Sequence, residues 1–195
     1  MKLVISDLGG VVVDHADPVP AMAARFGMTA EAFRALTVED THLLLAGAIT
    51  AQEFWSRFRQ KTGRDVEEEL WEKEFRPALN PAVLALLARV RKRVRVVAGT
   101  NTMDPHWPAL QRSGLFASFD AVYASHQMGL VKPDPSFYRR ILDEERCDPA
   151  EALFFDDLPE NVAGALRVGV RAFQFLDPDT LEVHLRSFGL LNGQP

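Results

Sequence analysis

Cysteine is nearly absent from this sequence, since Cys147 is the only one among 195 residues. An internal disulfide is therefore excluded, and a reducing, cytoplasmic compartment is expected. No apolar run reaches the length that spans a bilayer, and Asp7 interrupts the first one, so we expect neither a membrane span nor a signal peptide. Repeats and low-complexity segments are also missing. These absences favour an ordinary globular protein without a membrane partner.

An excess of positive charge is missing too. The 22 Lys and Arg residues are outnumbered by 27 Asp and Glu residues, which gives a formal net charge of -5. This balance argues against nucleic acid as a partner, although a local site can still be positive and take an anionic substrate. The chain is 47% hydrophobic and 25% charged, and its length fits one domain with an insertion or two small domains. The sequence leaves the oligomeric state open.

The most informative stretch lies at the start of the chain. Residues 3–5 form a short apolar run, which is typical of a strand buried on both faces of a parallel sheet. Asp7 follows at the carboxyl end of this strand, where open α/β sheets bind ligands, so it is a candidate nucleophile or cation ligand. Gly9 and Gly10 permit a sharp turn and a close approach to a ligand. A plain turn aspartate is the alternative interpretation of Asp7 taken alone.

Residues 17–78 carry helical patterns without a strand, including a capping box at Thr50 and Glu53. This segment is predicted to be an inserted lid or small bundle, whose aromatic residues form a core rather than a binding surface. Helices are predicted at 22–26, from 29 onward, at 43–45, at 50–63 and at 66–75, and the aromatic set is Phe54, Trp55, Phe58, Trp71 and Phe75.

From residue 80 onward, strands and helices alternate, which predicts a parallel sheet with right-handed crossovers. Strands are predicted at 94–98, 119–124, 152–155 and 170–175, and helices at 80–93, 105–112, 136–146, 160–168 and 179–186. Together with the first strand, this pattern predicts an α/β fold with a parallel five-stranded sheet.

Polar residues follow several of these strands and would meet at one edge of the sheet. They are Asp7, Thr100, Asn101, Lys132, Asp156 and Asp157. Three carboxylates in one place repel each other unless a cation joins them, and oxygen ligands of this kind suit Mg2+. A lysine and a hydroxyl beside that cation would grip a phosphate group. Helix-cap and surface-loop roles are the alternatives for each residue taken singly.

In this order and at these intervals, the motifs resemble those of the haloacid dehalogenase superfamily of hydrolases, most of which are Mg2+-dependent phosphatases. The matching motifs are Asp7-Leu8-Gly9-Gly10-Val11, Thr100, Gly129-Leu130-Val131-Lys132-Pro133, and Phe154-Phe155-Asp156-Asp157 with Asn161. The resemblance covers essentially the whole chain. It implies a Rossmann-like three-layer core at residues 1–15 and 79–195, with a type-1 helical cap at residues 16–78.

The resemblance also implies a mechanism, in which Asp7 attacks phosphorus to give an aspartyl phosphate that water then hydrolyses. Mg2+ is the implied cofactor. The implied metal-binding set is Asp7, Gly9 through its carbonyl, Asp157 and, in support, Asp156. The implied phosphate-binding set is Thr100, Asn101, Lys132 and the turn at Gly10.

One position departs from the superfamily pattern. Its phosphatases usually carry a second Asp two residues after the nucleophile, as general acid and then base, whereas this chain has Gly9. The favoured interpretation is an active phosphatase that uses a water, Asp14 or His15 as proton donor. The Asp7-Leu8-Gly9 start, the Asn101-Thr102 pair and the Asp156-Asp157 ending with Asn161 resemble the bacterial α-glucose-1-phosphate phosphatase branch, which also has glycine at this position. The alternatives are a 2-haloacid dehalogenase, which needs neither the acid nor a metal, and a catalytically silent binding module.

Substrate contacts are expected where the first strand continues into the helical segment, at Asp14, His15 and Asp17. His106 and Trp107 are the next candidates, with a packed tryptophan as an equal alternative for Trp107. The predicted substrate is a small phosphorylated metabolite, such as a sugar phosphate.

Overall fold

The computed structural model describes residues 1–67 and 69–191. Its strands are β1 (Leu3–Ser6), β2 (Val13–Asp14), β3 (Ala78–Leu79), β4 (Arg95–Thr100), β5 (Ala121–Ala124), β6 (Ala152–Asp156) and β7 (Arg171–Gln174). Its α-helices are α1 (Val19–Arg25), α2 (Ala30–Leu45), α3 (Ala51–Thr62), α4 (Leu70–Glu74), α5 (Pro81–Val90), α6 (Trp107–Arg112), α7 (Ser125–Met128), α8 (Pro135–Glu145), α9 (Pro159–Arg167) and α10 (Pro178–Ser187).

The central sheet has five parallel strands in the order β5-β4-β1-β6-β7. β1 lies in the middle, where Ile5 pairs with Val97 of β4 on one side and with Phe154 of β6 on the other. Every residue of β1 is buried, because helices cover both faces of the sheet. The predicted α/β fold with a parallel five-stranded sheet is confirmed.

Two hydrophobic clusters fill the space between the sheet and its helices. Val4 packs on one face with residues of α5 and α10, such as Leu87 and Leu181. Leu3 and Ile5 belong to the cluster on the other face, which includes residues of α8 and α9. Alternate residues of one strand thus serve opposite faces, and the result is the three-layer, Rossmann-like arrangement.

The helices α1 to α4 share a hydrophobic cluster of their own. Its most deeply buried members include Phe54, Trp55, Phe58 and Trp71, each at most 1% exposed. These aromatic residues therefore form a core, as predicted. Phe75 is also buried, but it packs in the cluster beside the sheet.

The capping box that opens α3 is also confirmed. The Glu53 N–H donates to the Thr50 hydroxyl oxygen at 3.1 Å, and the Thr50 N–H donates to the Glu53 carboxylate at 2.7 Å. Two of the orphan donors at the helix start are satisfied in this way. The helix ends at Gly63, whose φ of 68° suits a glycine.

The chain enters and leaves the helical segment at one place. β2 and β3 pair antiparallel, with Val13 opposite Leu79 and Asp14 opposite Ala78. The Asn80 N–H adds a bond to the Val12 carbonyl at 2.9 Å. A two-residue strand carries too little pattern to be predicted, and β3 was therefore missed by the sequence analysis.

Two helix predictions in this segment were wrong. α2 is continuous, whereas the sequence predicted one helix from 29 and another at 43–45. Nothing breaks it, because residues 30–45 contain neither glycine nor proline. The helix predicted at 66–75 is shorter in the structure, where only α4 forms. Glu68 of that prediction lies outside the described residues.

The helix predicted at 105–112 is present but begins later, at Trp107, because a 3-10 turn at Asp104–His106 precedes it. Among the described residues, no helix has the length and apolar character needed to cross a bilayer.

Candidate active site

Buried charges converge at the carboxyl edge of the sheet. Asp7 directly follows β1, and Asp156 ends the neighbouring strand β6. The Lys132 ammonium lies between them, 2.7 Å from the Asp7 carboxylate and 2.6 Å from the Asp156 carboxylate. All three residues are buried. The structure thus brings together three of the residues that the sequence assigned to one site.

Asp156 is surrounded by donors. Its carboxylate accepts hydrogen bonds from the Leu158 N–H at 2.9 Å and from the Asn161 side-chain amide at 2.9 and 3.1 Å, besides the contact with Lys132. A carboxylate offers about four acceptor positions, and these contacts occupy them. Asp156 is therefore placed to hold Lys132 in position rather than to offer a free oxygen.

Asp157 is half-buried and differs from its neighbour, because no other described residue donates a hydrogen bond to its carboxylate. It lies against the glycine turn. A Cβ atom added at Gly10 would be 2.4 Å from Asp157 Oδ2, and Gly10 has a φ of 74°. Both the backbone conformation and the close approach therefore require glycine at this position.

The site is short of positive charge. Asp7, Asp156 and Asp157 each offer a carboxylate oxygen within 4.8 Å of the others, and Lys132 is the ammonium that pairs with two of them. Clustered carboxylate oxygens are the donor set that Mg2+ prefers. The arrangement fits a divalent cation. Asp7 and Asp157 have more acceptor positions free for such a cation than Asp156 has.

Burial and charge set the protonation of this cluster. Burial raises the pKa of Asp7 to about 7, against the opposing effect of Lys132, and the Asp156 charge adds to the rise. Burial and the Asp156 charge also raise the pKa of Asp157. Burial alone would lower the pKa of Lys132, but the facing carboxylates outweigh it and raise that pKa. Lys132 is therefore a fixed positive charge.

Asn101 and Thr100 lie beside Lys132, at the end of β4. The Asn101 side-chain amide donates to the Lys132 carbonyl at 3.0 Å, and its oxygen accepts from the Lys132 N–H at 2.9 Å. This double contact fixes the loop that carries the lysine. The Thr100 residue is buried, and no described residue forms a hydrogen bond with its hydroxyl. It lines a small cavity of about 40 Å³ that Gly9 also lines.

A larger cavity of about 720 Å³ opens above Asp7, Lys132 and Asp157. The predicted substrate-facing residues Asp14, His15 and Asp17 all line it, and His15 has a φ of 56°. Left-handed backbone at a non-glycine residue is uncommon and is often found at functional sites.

Arg34 of α2 also lines this cavity and was missed by the sequence analysis. Its guanidinium forms an ion pair with Asp17, whose carboxylate also accepts the Val19 N–H at 3.0 Å. No motif marks Arg34, because only the packing of α2 over the sheet edge brings it to the site.

The next candidates, His106 and Trp107, lie apart from the charged cluster. His106 is buried and stacks on Phe75 with a ring-centroid distance of 3.9 Å, although it lines the small cavity near Gly9. Trp107 packs against Phe116 and lines none of the cavities described above. Trp107 is therefore a packed tryptophan, which was the alternative interpretation of this residue.

Gly9 leaves room for a side chain. A Cβ atom added there would meet the Ala16 Cβ at 3.4 Å, an ordinary contact, and the φ of Gly9 is not in the left-handed region. The local packing at this position therefore tolerates a Cβ atom.

The fold and this cluster of residues define a hydrolase. The chain matches the haloacid dehalogenase-like hydrolase family over residues 1–169 and belongs to it. The predicted resemblance and the predicted enzyme class are confirmed.

Relatives with curated functions include two phosphatases. The chain is 26% identical over 188 residues to D-ribitol-5-phosphate phosphatase of Bacteroides thetaiotaomicron, which covers 89% of this chain and 91% of that protein. It is 39% identical over 131 residues to the sesquiterpene phosphatase astK of Aspergillus oryzae, which covers 66% of this chain and 61% of that protein.

Solved structures share the fold. The family enzyme bt-2542 of Bacteroides thetaiotaomicron superposes with a TM-score of 0.75 at 23% identity over 89% of this chain and 93% of its own. A mutant of that enzyme was crystallised with magnesium and inorganic phosphate. L-2-haloacid dehalogenase of Xanthobacter autotrophicus superposes with a TM-score of 0.66 at 22% identity over 98% of this chain and 85% of its own.

Proposed function

We propose that the protein is a Mg2+-dependent phosphatase that hydrolyses a small phosphorylated metabolite through an aspartyl phosphate on Asp7. The observation that carries the proposal is the buried Lys132 ammonium, 2.7 Å from Asp7 and 2.6 Å from Asp156, beside the further carboxylate of Asp157. The similarity to curated phosphatases supports the same class of reaction.

The metal assignment rests on the donors at the site. Asp7, Asp157 and the Gly9 carbonyl would hold Mg2+, and Asp156 would support them by fixing Lys132. A bound Mg2+ would supply charge neutralisation for the incoming phosphate group. The unpaired carboxylate of Asp157 and the raised pKa values of Asp7 and Asp157 fit a cluster that ionises fully when a cation is present.

The chain's own groups account for positioning and attack. Lys132 keeps the Asp7 carboxylate oriented and grips phosphate oxygens, while the Thr100 hydroxyl and the Asn101 backbone N–H donate to the same group. The Asn101 side chain is already occupied by the lysine loop. Asp7 then attacks phosphorus, the alcohol leaves, and water hydrolyses the resulting aspartyl phosphate.

The helical segment would act as a cap. We propose a core of residues 1–15 and 79–195 and a cap of residues 16–78, because α1 to α4 have their own hydrophobic cluster and are joined to the core at β2 and β3. Arg34 and Asp17 would then face the substrate from the cap, and His15 from the end of the core segment beside it. With Gly9 in place of an acid, Asp14, His15 or a water would protonate the leaving group.

The first test measures phosphate release from p-nitrophenyl phosphate, acetyl phosphate and a panel of sugar phosphates, with Mg2+ and with EDTA. We expect Mg2+-dependent release, which Asp7→Asn abolishes while the variant stays folded and keeps a cooperative thermal unfolding transition. Asp143→Asn is the matched control, because Asp143 is exposed on α8, and it should keep full activity.

Retained activity in Asp7→Asn would remove Asp7 as the nucleophile. If no phosphate ester is hydrolysed but halide is released from 2-haloacids regardless of EDTA, the protein is a dehalogenase, which the glycine at position 9 would permit. If neither occurs, the family fold serves as a binding module.

A further inference from the structure

A second cavity adjoins the catalytic one. It has a volume of about 390 Å³ and lies between α2 and the loops that carry Lys132 and Leu158. Lys132 and Asn101 line both cavities. A phosphate group bound at Lys132 would therefore lie where the two cavities meet. The volume is within the range of ordinary small-molecule sites.

The second cavity differs from the first in chemistry. Four aspartates line the catalytic cavity, Asp7, Asp14, Asp17 and Asp157, and none of them lines the second, whereas Arg34 and Leu158 line both. The apolar residues of the second cavity come from two facing parts of the molecule: Val19, Val38 and Leu45 from the helical segment, and Val131, Pro133 and Leu158 from the sheet edge.

Two of these apolar side chains are unusually exposed. Val38 is 64% exposed and Leu158 is 45% exposed, and they belong to the five large hydrophobic residues that are exposed in the described part of the chain. They come from different elements and line the same cavity. Apolar side chains that converge in a concave surface beside a few polar groups are the usual lining of a small-molecule site.

We propose that this cavity binds the apolar organic group of the substrate, so that the enzyme acts on phosphate esters of apolar alcohols rather than of sugars or polyols. The inference rests on the proposed phosphatase function and narrows its substrate class. The phosphate stays at Asp7, Lys132 and Thr100, and the hydrocarbon part extends along Val38 and Leu158.

The test measures binding separately from chemistry. Alkylphosphonates carry a carbon–phosphorus bond that the enzyme does not hydrolyse, so isothermal calorimetry with the Mg2+-loaded protein gives their dissociation constants. In the series ethyl, butyl and hexyl, affinity should rise by up to about fourfold per methylene, as for full burial of each group. Propylphosphonate should bind more tightly than its polar match, 2,3-dihydroxypropylphosphonate.

Variants at one position locate the effect. Val38→Asn and Val38→Glu should weaken hexylphosphonate by about tenfold, which corresponds to the loss of between one and two buried methylene groups. Both should leave ethylphosphonate nearly unchanged. Val183→Glu is the matched control, because Val183 is 65% exposed on α10 and lines neither cavity, and it should change nothing.

The proposal is overturned if affinity is flat along the alkyl series, if no phosphonate binds, or if the dihydroxypropyl compound binds best. Equal losses for hexyl- and ethylphosphonate in both Val38 variants would contradict it as well. A failure of the proposed phosphatase function would give a different result. The protein would then release no phosphate from p-nitrophenyl phosphate with Mg2+, while its affinity for alkylphosphonates would still rise with chain length.

Discussion

At the scale of single residues, the two adjacent glycines of the first turn are glycines for different reasons. Gly10 has a φ of 74°, and its backbone lies so close to Asp157 that a Cβ atom would overlap the carboxylate. Gly9 has an ordinary backbone conformation, and a Cβ atom added there would make only an ordinary contact with Ala16. The structure thus constrains Gly10 by geometry, whereas neither the backbone conformation nor the contact of an added Cβ atom demands glycine at position 9.

We predict that Gly10→Ala weakens Mg2+ binding by displacing Asp157, and that it also destabilises the fold by about 1–3 kcal/mol through backbone strain. Gly27→Ala is the matched control, since Gly27 has a φ of 60° with nothing within 4 Å of the added Cβ atom. It should share the strain but keep the Mg2+ affinity. Calorimetric Mg2+ titration and thermal unfolding separate the two effects, and equal Mg2+ affinity in both variants would contradict the displacement.

His106 gives a prediction about pH. Burial, and then the nearby His126, lower the pKa of His106 to about 3 from an ordinary 6.5, and its buried Nε2 atom has no hydrogen-bond partner among the described residues. Between these pH values the unfolded chain binds a proton that the folded protein does not. The free energy of unfolding should therefore decrease as pH falls from about 6.5 towards 3, by up to about 1.4 kcal/mol per pH unit from this group.

The check is urea unfolding at pH 6, 5 and 4. In His106→Phe the free energy of unfolding should fall less steeply with decreasing pH, by up to about 1.4 kcal/mol per pH unit. His42→Gln replaces an exposed histidine on α2 and should behave as the unchanged protein does. An unaltered pH slope in His106→Phe would show that another group controls the acid sensitivity.

At the scale of elements, the sequence predicts well wherever one element carries its own signal. β1 is a run of apolar residues buried on both faces, and α3 has a capping box at its start and a left-handed glycine at its end. The polar residues of the site could be placed for the same reason, because each directly follows a strand or lies in a loop at the sheet edge. Parallel strands then bring Asp7 and Asp156 to neighbouring positions without further information.

Elements that depend on distant partners were harder to predict. β3 exists because Ala78 and Leu79 meet Val13 and Asp14 from the other end of the helical segment. α2 is a different case, because its own sequence has no glycine or proline to end it, and the prediction of two helices misread its local pattern. Arg34 and Val38 lie on this helix, and its packing, rather than any motif, brings them to the cavities.

At the scale of the whole molecule, binding chemistry is concentrated where the helical segment meets the carboxyl edge of the sheet. The catalytic cavity and the apolar cavity both open there, and both contain residues of α2 and of the loop at Lys132. The sheet side supplies the charged cluster, and the helical side supplies much of the remaining wall. Charged and apolar lining residues are thus brought together at one edge of the sheet.

The last prediction concerns how this cluster affects the stability of the entire fold. Mg2+ that binds the folded protein alone should stabilise it by about 2.7 kcal/mol at a hundredfold excess over the dissociation constant, which corresponds to roughly 5–10 °C in the unfolding midpoint. Asp157→Asn should lose most of this shift while the metal-free protein becomes no less stable, because the pKa of Asp157 is raised by burial and by Asp156 and its charge is unfavourable without a cation. Asp143→Asn, on the exposed face of α8, should keep the full shift. Differential scanning calorimetry with Mg2+ and with EDTA measures both quantities, and a full Mg2+ shift in Asp157→Asn would place the metal elsewhere in the molecule.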